Sequence, residues 1–323
     1  MGPYGVVMSL EARLRPLVAI GRRVERAQPG MTMAERRERS ARQAHYGAWL
    51  VMRPGPRPAS VDDIMVPVEG GRIRVRLYRP AGPGPHPLYV FVHGGGWCVG
   101  TLDERDPRCR AVSAGANCVV ASVDYRMAPE CQFPVAADDC YAAVRHLVDE
   151  AATLGIDPAL VAVGGESAGG NLAAVVCLMA RDRGGPTICH QWLDVPATDA
   201  TLSQSGYRDV PDGYLLDAAT IGEFLASYLA DPAQATDPYC SPLLAASHAN
   251  LPPAWVMTAE YDHLRGDGEA YVTALRGDGV EATHVRLAGH IHPSFAFTRL
   301  LASARAYECD AIAALRRAFD ACG

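Results

Sequence analysis

The sequence predicts an α/β fold, a mostly parallel sheet of eight strands with helices on both faces. Three observations carry that reading. From residue 88 onward, short apolar runs alternate with helical segments, the pattern of a buried parallel sheet. Arg53-Pro54-Gly55-Pro56-Arg57-Pro58 breaks the chain between this region and a helical start. The glycine-rich stretch Gly165-Glu166-Ser167-Ala168-Gly169 joins one apolar run directly to a helix.

In order along the chain, residues 5–27 and 32–51 read as helices. The second opens on Thr32-Met33-Ala34-Glu35, a capping box. Segments 64–68 and 72–78 alternate around Glu69-Gly70-Gly71 and read as a β-hairpin. The remaining strands are expected at 88–92, 118–124, 160–164, 188–195, 254–259 and 283–287. Helices are expected at 135–150, 170–183, 268–277 and 303–319. The polar, Pro-rich stretch 199–250 interrupts this rhythm and reads as a partly helical insertion between two core strands. No internal repeat is visible.

The 323 residues include 30 Lys+Arg, and every one is arginine. Schiff-base lysine chemistry and a P-loop lysine are therefore excluded. The abundance of Arg, Ala, Gly and Pro points to genome composition as the cause. Hydrophobic residues make up 49% and charged residues 20%, as in ordinary soluble domains. The net charge of −6 argues against a nucleic-acid partner. Residues 1–60 carry 11 arginines against 4 acids, which reads as a solvated polar helix face.

The 10 cysteines form no CxxC pair, so neither a zinc site nor a disulfide framework is expected. The N-terminal stretch is interrupted by charge too early for a secretory signal. Val6 stands where a myristoylation signal has Ser or Thr. No run of about 18 apolar residues offers a membrane span. A reducing cytoplasm is the expected compartment, with no stable membrane insertion and with room for a homodimer.

The chemistry concentrates in four places. Ser167 lies in a GxSxG between a buried strand and a helix, the setting of a nucleophile elbow. His93-Gly94-Gly95-Gly96-Trp97 ends another strand, where consecutive glycines let backbone N–H groups approach an oxyanion. The N–H of Ala168, the residue after the serine, supplies a further donor. His93 reads as a loop-packing residue and Trp97 as a wall of the loop or pocket. A serine nucleophile needs a base, and the base an orienting acid. Asp262, just past the strand 254–259, is the favoured acid over Glu260 and Asp267. Gly289-His290-Ile291-His292-Pro293 offers two histidines, between which spacing alone does not choose.

With these motifs in hand, the sequence resembles the hormone-sensitive-lipase-like (family IV) branch of α/β-hydrolase carboxylesterases. The resemblance runs from about residue 64 to the C-terminus. It rests on HGGGW at 93–97, Tyr125-Arg126-Met127-Ala128-Pro129-Glu130, GESAGG at 165–170, Ser241-Pro242-Leu243, Asp262-His263-Leu264-Arg265 and the GHIHP stretch. It implies a catalytic Ser167, Asp262 and His292, with Gly95, Gly96 and Ala168 forming the oxyanion hole. It implies no metal or organic cofactor, and a small-molecule ester as substrate. It also implies an α/β-hydrolase core of residues 56–198 and 246–323, under a helical cap of 1–55 and 199–245. Tyr46, Trp49 and Leu50 would give one apolar face of that cap.

The sequence departs from the family pattern at Glu166 (usually Asp), Pro293-Ser294 (usually Gly) and Gly266-Asp267 (usually an acidic pair). Asp194, in a strand that is usually apolar, needs a partner if buried and is a candidate pocket determinant. The expected reaction is hydrolysis of short to medium acyl esters. Deacetylation of a secondary metabolite, a non-hydrolytic lyase or cyclase, and a catalytically silent binding protein are the alternatives.

Overall fold

The structure is a computed structural model that describes residues 10–26 and 30–323, without the side chains of 21–26 and 43–46. The expected helix start at residue 5 and the side chain of Tyr46 lie outside the described residues. The chain runs α1 (Arg15–Arg26), α2 (Met33–Val51), β1 (Ser60–Val68), β2 (Gly71–Arg79), β3 (His86–Val92), α3 (Asp106–Ala116) and β4 (Val119–Asp124). It continues through α4 (Val135–Asp149), α5 (Ala151–Leu154), β5 (Ile156–Glu166), α6 (Ala168–Asp182) and β6 (His190–Asp194). The remainder is α7 (Gly206–Asp209), α8 (Ala218–Tyr228), β7 (Ala254–Tyr261), α9 (Arg265–Gly277), β8 (Ala282–Ile291) and α10 (Ala302–Cys322).

The eight strands form one sheet in the order β1-β2-β4-β3-β5-β6-β7-β8. The hairpin β1–β2 is antiparallel and joins β4 antiparallel; every pairing from β4 through β8 is parallel. Side-chain alternation sorts the core into two layers. Leu88, Val90 and Val92 of β3 pack with residues of α4, α6 and α9 on one face. Tyr89 and Phe91 pack with residues of α3 and α10 on the other. Each expected strand and helix from residue 32 onward is present, lengthened or trimmed by a few residues at its ends, while the helix expected over 5–27 is α-helical only from Arg15, after a 3₁₀ turn at Ala12–Leu14.

Helix α3 was not expected. Pro107 in its first turn and left-handed Asn117 at its end are recognisable start and stop signals. Its apolar stripe is only Cys109, Val112 and Ala116, and it also buries Asp106, Arg108 and Ser113. Burial of charge erased the hydrophobic periodicity on which a helix reading depends.

The capping box of α2 is present, with Thr32 Oγ1 accepting the Glu35 N–H and Glu35 accepting the Thr32 N–H. The expected apolar face of this helix is corrected: Trp49 is 37% and Leu50 69% exposed. The inward face carries polar anchors instead. Arg37 donates to the Cys98 and Ala128 carbonyls and pairs with Glu130. Ser40 donates to Glu104, and Arg36 pairs with Glu223 of α8. Arg36 and Arg37 are structural ties, whereas Arg13, Arg15, Arg42, Arg53 and Arg57 are exposed, as the solvated polar face read from composition requires. An i, i+3, i+4 spacing marks a stripe, but packing decides which way it points.

Candidate active site

The site is assembled at the C-terminal ends of the parallel strands, where β3, β5, β7 and β8 run into loops. Ser167 links β5 to α6 with φ 56° and ψ −122°, a region that non-glycine residues rarely occupy. The flanking glycines make this turn sterically accessible. A Cβ on Gly165 would lie 2.4 Å from the Gly169 carbonyl oxygen, and one on Gly169 would lie 2.2 Å from that of Val92. The N-terminus of the 15-residue helix α6 begins at the next residue, Ala168, so its partial positive charge faces the serine.

Ser167 Oγ lies 3.0 Å from His292 Nε2, and His292 Nδ1 lies 2.7 Å from Asp262 Oδ2. A carboxylate only accepts, so Nδ1 carries the proton and Nε2 presents its lone pair to the hydroxyl. Asp262 is buried, and its other oxygen accepts the Leu264 N–H at 3.0 Å. That arrangement can draw the proton from Ser167 as its oxygen attacks a carbonyl.

Gly95 and Gly96 take φ values of +118° and +57°, conformations glycine reaches without a Cβ penalty. The Cys98 and Val99 N–H groups bind the Gly95 carbonyl at 3.1 and 3.0 Å, which turns the loop over. Ala168 is the first residue of its helix, where N–H groups have no intrahelical acceptor. Gly95, Gly96, Ser167, Ala168 and His292 all line one cavity of about 220 Å³. Its apolar wall includes Val195, Leu216, Ile221, Phe224 and Phe295. Phe224 of α8 sits so close to Gly96 that a Cβ there would lie 2.2 Å from its ring.

The other candidates from the sequence fall outside the proton path. Glu260 accepts the Gly289 N–H at 2.6 Å. Asp267 accepts the Thr198 and Asp199 N–H groups, each at 3.0 Å, and so pins the start of the 199–250 segment; burial pushes its carboxyl well above the usual range. His93 is buried under the glycine loop, stacked on Tyr125 at 4.5 Å. Trp97 stacks on Tyr228 at 4.6 Å and also lines the cavity.

His290 lies between two hydroxyls, with Nδ1 2.8 Å from Ser294 Oγ and Nε2 2.8 Å from Ser303 Oγ. Ser294 Oγ also accepts the Ile291 N–H. The departure at Pro293-Ser294 therefore gives the base loop its own brace. Burial lowers His290 to about 4 from 6.5, and His190 likewise. Their unfolded forms take up protons between pH 6.5 and 4 while the folded forms do not. Stability from these groups is complete above pH 6.5 and is lost as pH falls toward 4. Thermal melts across that range should show Tm falling on acidification, with a shallower slope in His290→Ala. Equal slopes in the two proteins would contradict the assignment.

Two acids flank the serine. Glu166 is held by Arg105 through Nε and Nη2, both at 2.7 Å. Burial alone would raise its pKa, but Arg105 outweighs this, with Arg108 and His292 adding to the effect, and the carboxyl sits below its ordinary range. Asp194 does have the partners its burial demands, Arg108, Tyr307 and Trp192; burial still raises its pKa against the pull of Arg108. It is not among the residues lining the cavity, which corrects its expected place as a pocket determinant. Its side chain points to the α3–α10 face of the sheet, a direction that strand alternation sets. Arg105 and Arg108 escaped sequence reasoning because α3 itself did. Among the described residues, no cluster of three or more His, Cys, Asp or Glu could hold a metal, and no helix is long and apolar enough to cross a membrane.

Residues 89–296 match the alpha/beta hydrolase fold family. The chain is 44% identical to carboxylic ester hydrolase LipN of Mycobacterium tuberculosis over 79% of its own length and 69% of that protein. It is 40% identical to carboxylesterase NlhH of the same species, over 77% of this chain and 79% of that protein. A hyperthermophilic esterase from the archaeon Pyrobaculum calidifontis superimposes with a TM-score of 0.90 at 37% identity, covering 98% of this chain and 100% of that one. With an eight-stranded sheet built around this site and ester hydrolases among its relatives in both sequence and structure, the chain belongs to the hormone-sensitive-lipase-like (family IV) carboxylesterases of the alpha/beta hydrolase fold.

Proposed function

We propose that the protein hydrolyses short to medium acyl esters through an acyl-enzyme on Ser167. The observation that carries this reading is the continuous chain from Asp262 through His292 to Ser167 Oγ on the wall of an apolar cavity. His292 takes the serine proton as Oγ attacks the ester carbonyl. Asp262 holds the imidazole in the tautomer that can accept it. The N–H groups of Gly95, Gly96 and Ala168 stabilise the developing oxyanion. His292 then protonates the leaving alcohol, and water cleaves the acyl-enzyme by the same steps. No cofactor takes part.

Residues 1–55 and 199–245 act in this reading as a cap over a catalytic core of 56–198 and 246–323. Leu216, Ile221 and Phe224 of the second segment close the cavity, and Arg36 and Arg37 tie the first segment down. The ten cysteines are unpaired, which supports a reducing, cytoplasmic setting. Assembly as a homodimer belongs to the same reading, and sedimentation velocity tests it.

The test of substrate class is a panel of p-nitrophenyl esters from acetyl to long-chain. kcat/KM should be greatest among short and medium acyl groups and fall for long chains, which outgrow a cavity of about 220 Å³ walled by Leu216, Ile221, Phe224 and Phe295. A kcat/KM that climbs steadily with chain length would overturn the proposed range.

A further inference from the structure

The buried cluster around Asp194 takes no part in the steps above, yet it touches both loops that form the site. Asp194 ends β6, and its backbone carbonyl accepts the Ser167 N–H at 2.9 Å. On the opposite side its carboxylate accepts from Trp192 Nε1 at 3.0 Å, from the Tyr307 hydroxyl and from Arg108. The Arg108 guanidinium lies 4.8 Å from the Trp192 ring centre and 5.1 Å from that of Phe295. Phe295 shares the 3₁₀ turn His292–Ala296 with His292 and lines the cavity.

The neighbouring strand repeats the arrangement. Glu166, the register partner of Asp194, is held by Arg105 one turn before Arg108. The cost of desolvating two charges largely offsets their attraction, so a buried ion pair is a poor device for stability alone. The backbone beside the pair shows what it holds. Val195 has φ +42° and lines the cavity. A β-branched residue in that conformation persists only where its surroundings over-determine it.

We propose that Arg108 and Asp194 are positioning residues that set the distance between the nucleophile turn and the base loop. Asp194 fixes the Ser167 N–H and the strained Val195 from one side. Arg108, pinned by Asp194, sets its guanidinium over the Phe295 ring and thereby seats the turn bearing His292. The inference rests on Ser167 as nucleophile and His292 as base.

The test separates positioning from folding. Arg108→Met and Asp194→Asn each leave one buried group without its partner, and both should lower Tm. The double variant Arg108→Met/Asp194→Asn removes both charges, and the introduced amide oxygen can still accept from Trp192 and Tyr307; only the amide NH₂ is left without an acceptor, so its Tm should rise above that of either single variant. Its kcat should nevertheless stay roughly ten- to a hundredfold below wild type, the penalty expected of a small misplacement, with KM little changed. Arg108→Lys, which keeps the cation but removes the guanidinium from over Phe295, should show the same loss in kcat.

A double variant whose kcat returns to wild type as its Tm rises would overturn the proposal, as would a wild-type kcat in Arg108→Lys. Labelling of the wild-type protein by a serine-directed phosphonate distinguishes this failure from a wrong nucleophile. If wild type does not label, the Ser167 reading has failed; if it labels and the double variant turns over normally, only the positioning role has.

Discussion

Ser167→Ala is expected to lower kcat by on the order of 10⁵-fold or more, with little change in Tm. The hydroxyl makes one contact in the site, to His292 at 3.0 Å, and its loss leaves no buried charge unpaired. His292→Ala should cost a similar factor, and the double variant scarcely more than either alone, because the two residues act as a unit. His290→Ala is the informative partner. Two residues away, it faces Ser294 and Ser303 rather than the serine, so it should destabilise the base loop while retaining far more of kcat. Steady-state kinetics on the three proteins checks this. Comparable losses in the two histidine variants would mean that the base is misassigned.

Asp262→Asn is expected to lower kcat by roughly 10⁴-fold, and the structure supplies the reason. One oxygen of Asp262 accepts the Leu264 N–H at 3.0 Å, and the other faces His292 Nδ1 at 2.7 Å. In the variant, the Leu264 N–H claims the amide oxygen, since an NH₂ group there would leave two donors opposed. The NH₂ then points at His292 and requires an acceptor at Nδ1. The imidazole is left with its proton on Nε2, facing the serine, and cannot act as a base. Glu260→Gln, whose partner is the Gly289 N–H, should keep most of the activity. A pre-steady-state burst of p-nitrophenol follows the acylation step directly, and a burst as fast as wild type in Asp262→Asn would refute the tautomer argument.

Much of this was legible in the residues. Apolar runs located the six strands β3 to β8, because both faces of a parallel sheet are buried and each strand must be hydrophobic along its length, and period-two alternation located the antiparallel hairpin β1–β2, which is half exposed. Glycines at 95, 96, 165 and 169 marked the two tight approaches, since a Cβ at any of them would meet a neighbour at 2.4 Å or less. The failures share one origin. Helix α3, Arg105, Arg108 and the direction of Asp194 all concern buried charge, whose signature is a partner remote in sequence; Asp194 and Arg108 are 86 residues apart. The inward face of α2 was hidden because its anchors are polar contacts to residues remote in sequence and not a hydrophobic stripe.

The sequence by itself determined the fold class, the tight turn at Ser167, the glycine loop at 94–96 and, through resemblance, which histidine and which acid to expect beside them. Those features depend on local sterics and on hydrophobic period, both written within a few residues of each other. Only the tertiary structure decided that His290 faces two serines, that Phe224 closes the cavity against Gly96, and that Asp194 turns away from the pocket toward Arg108. Each of these depends on which surfaces meet across the sheet and on where a buried charge finds its partner, distances that local sequence does not encode.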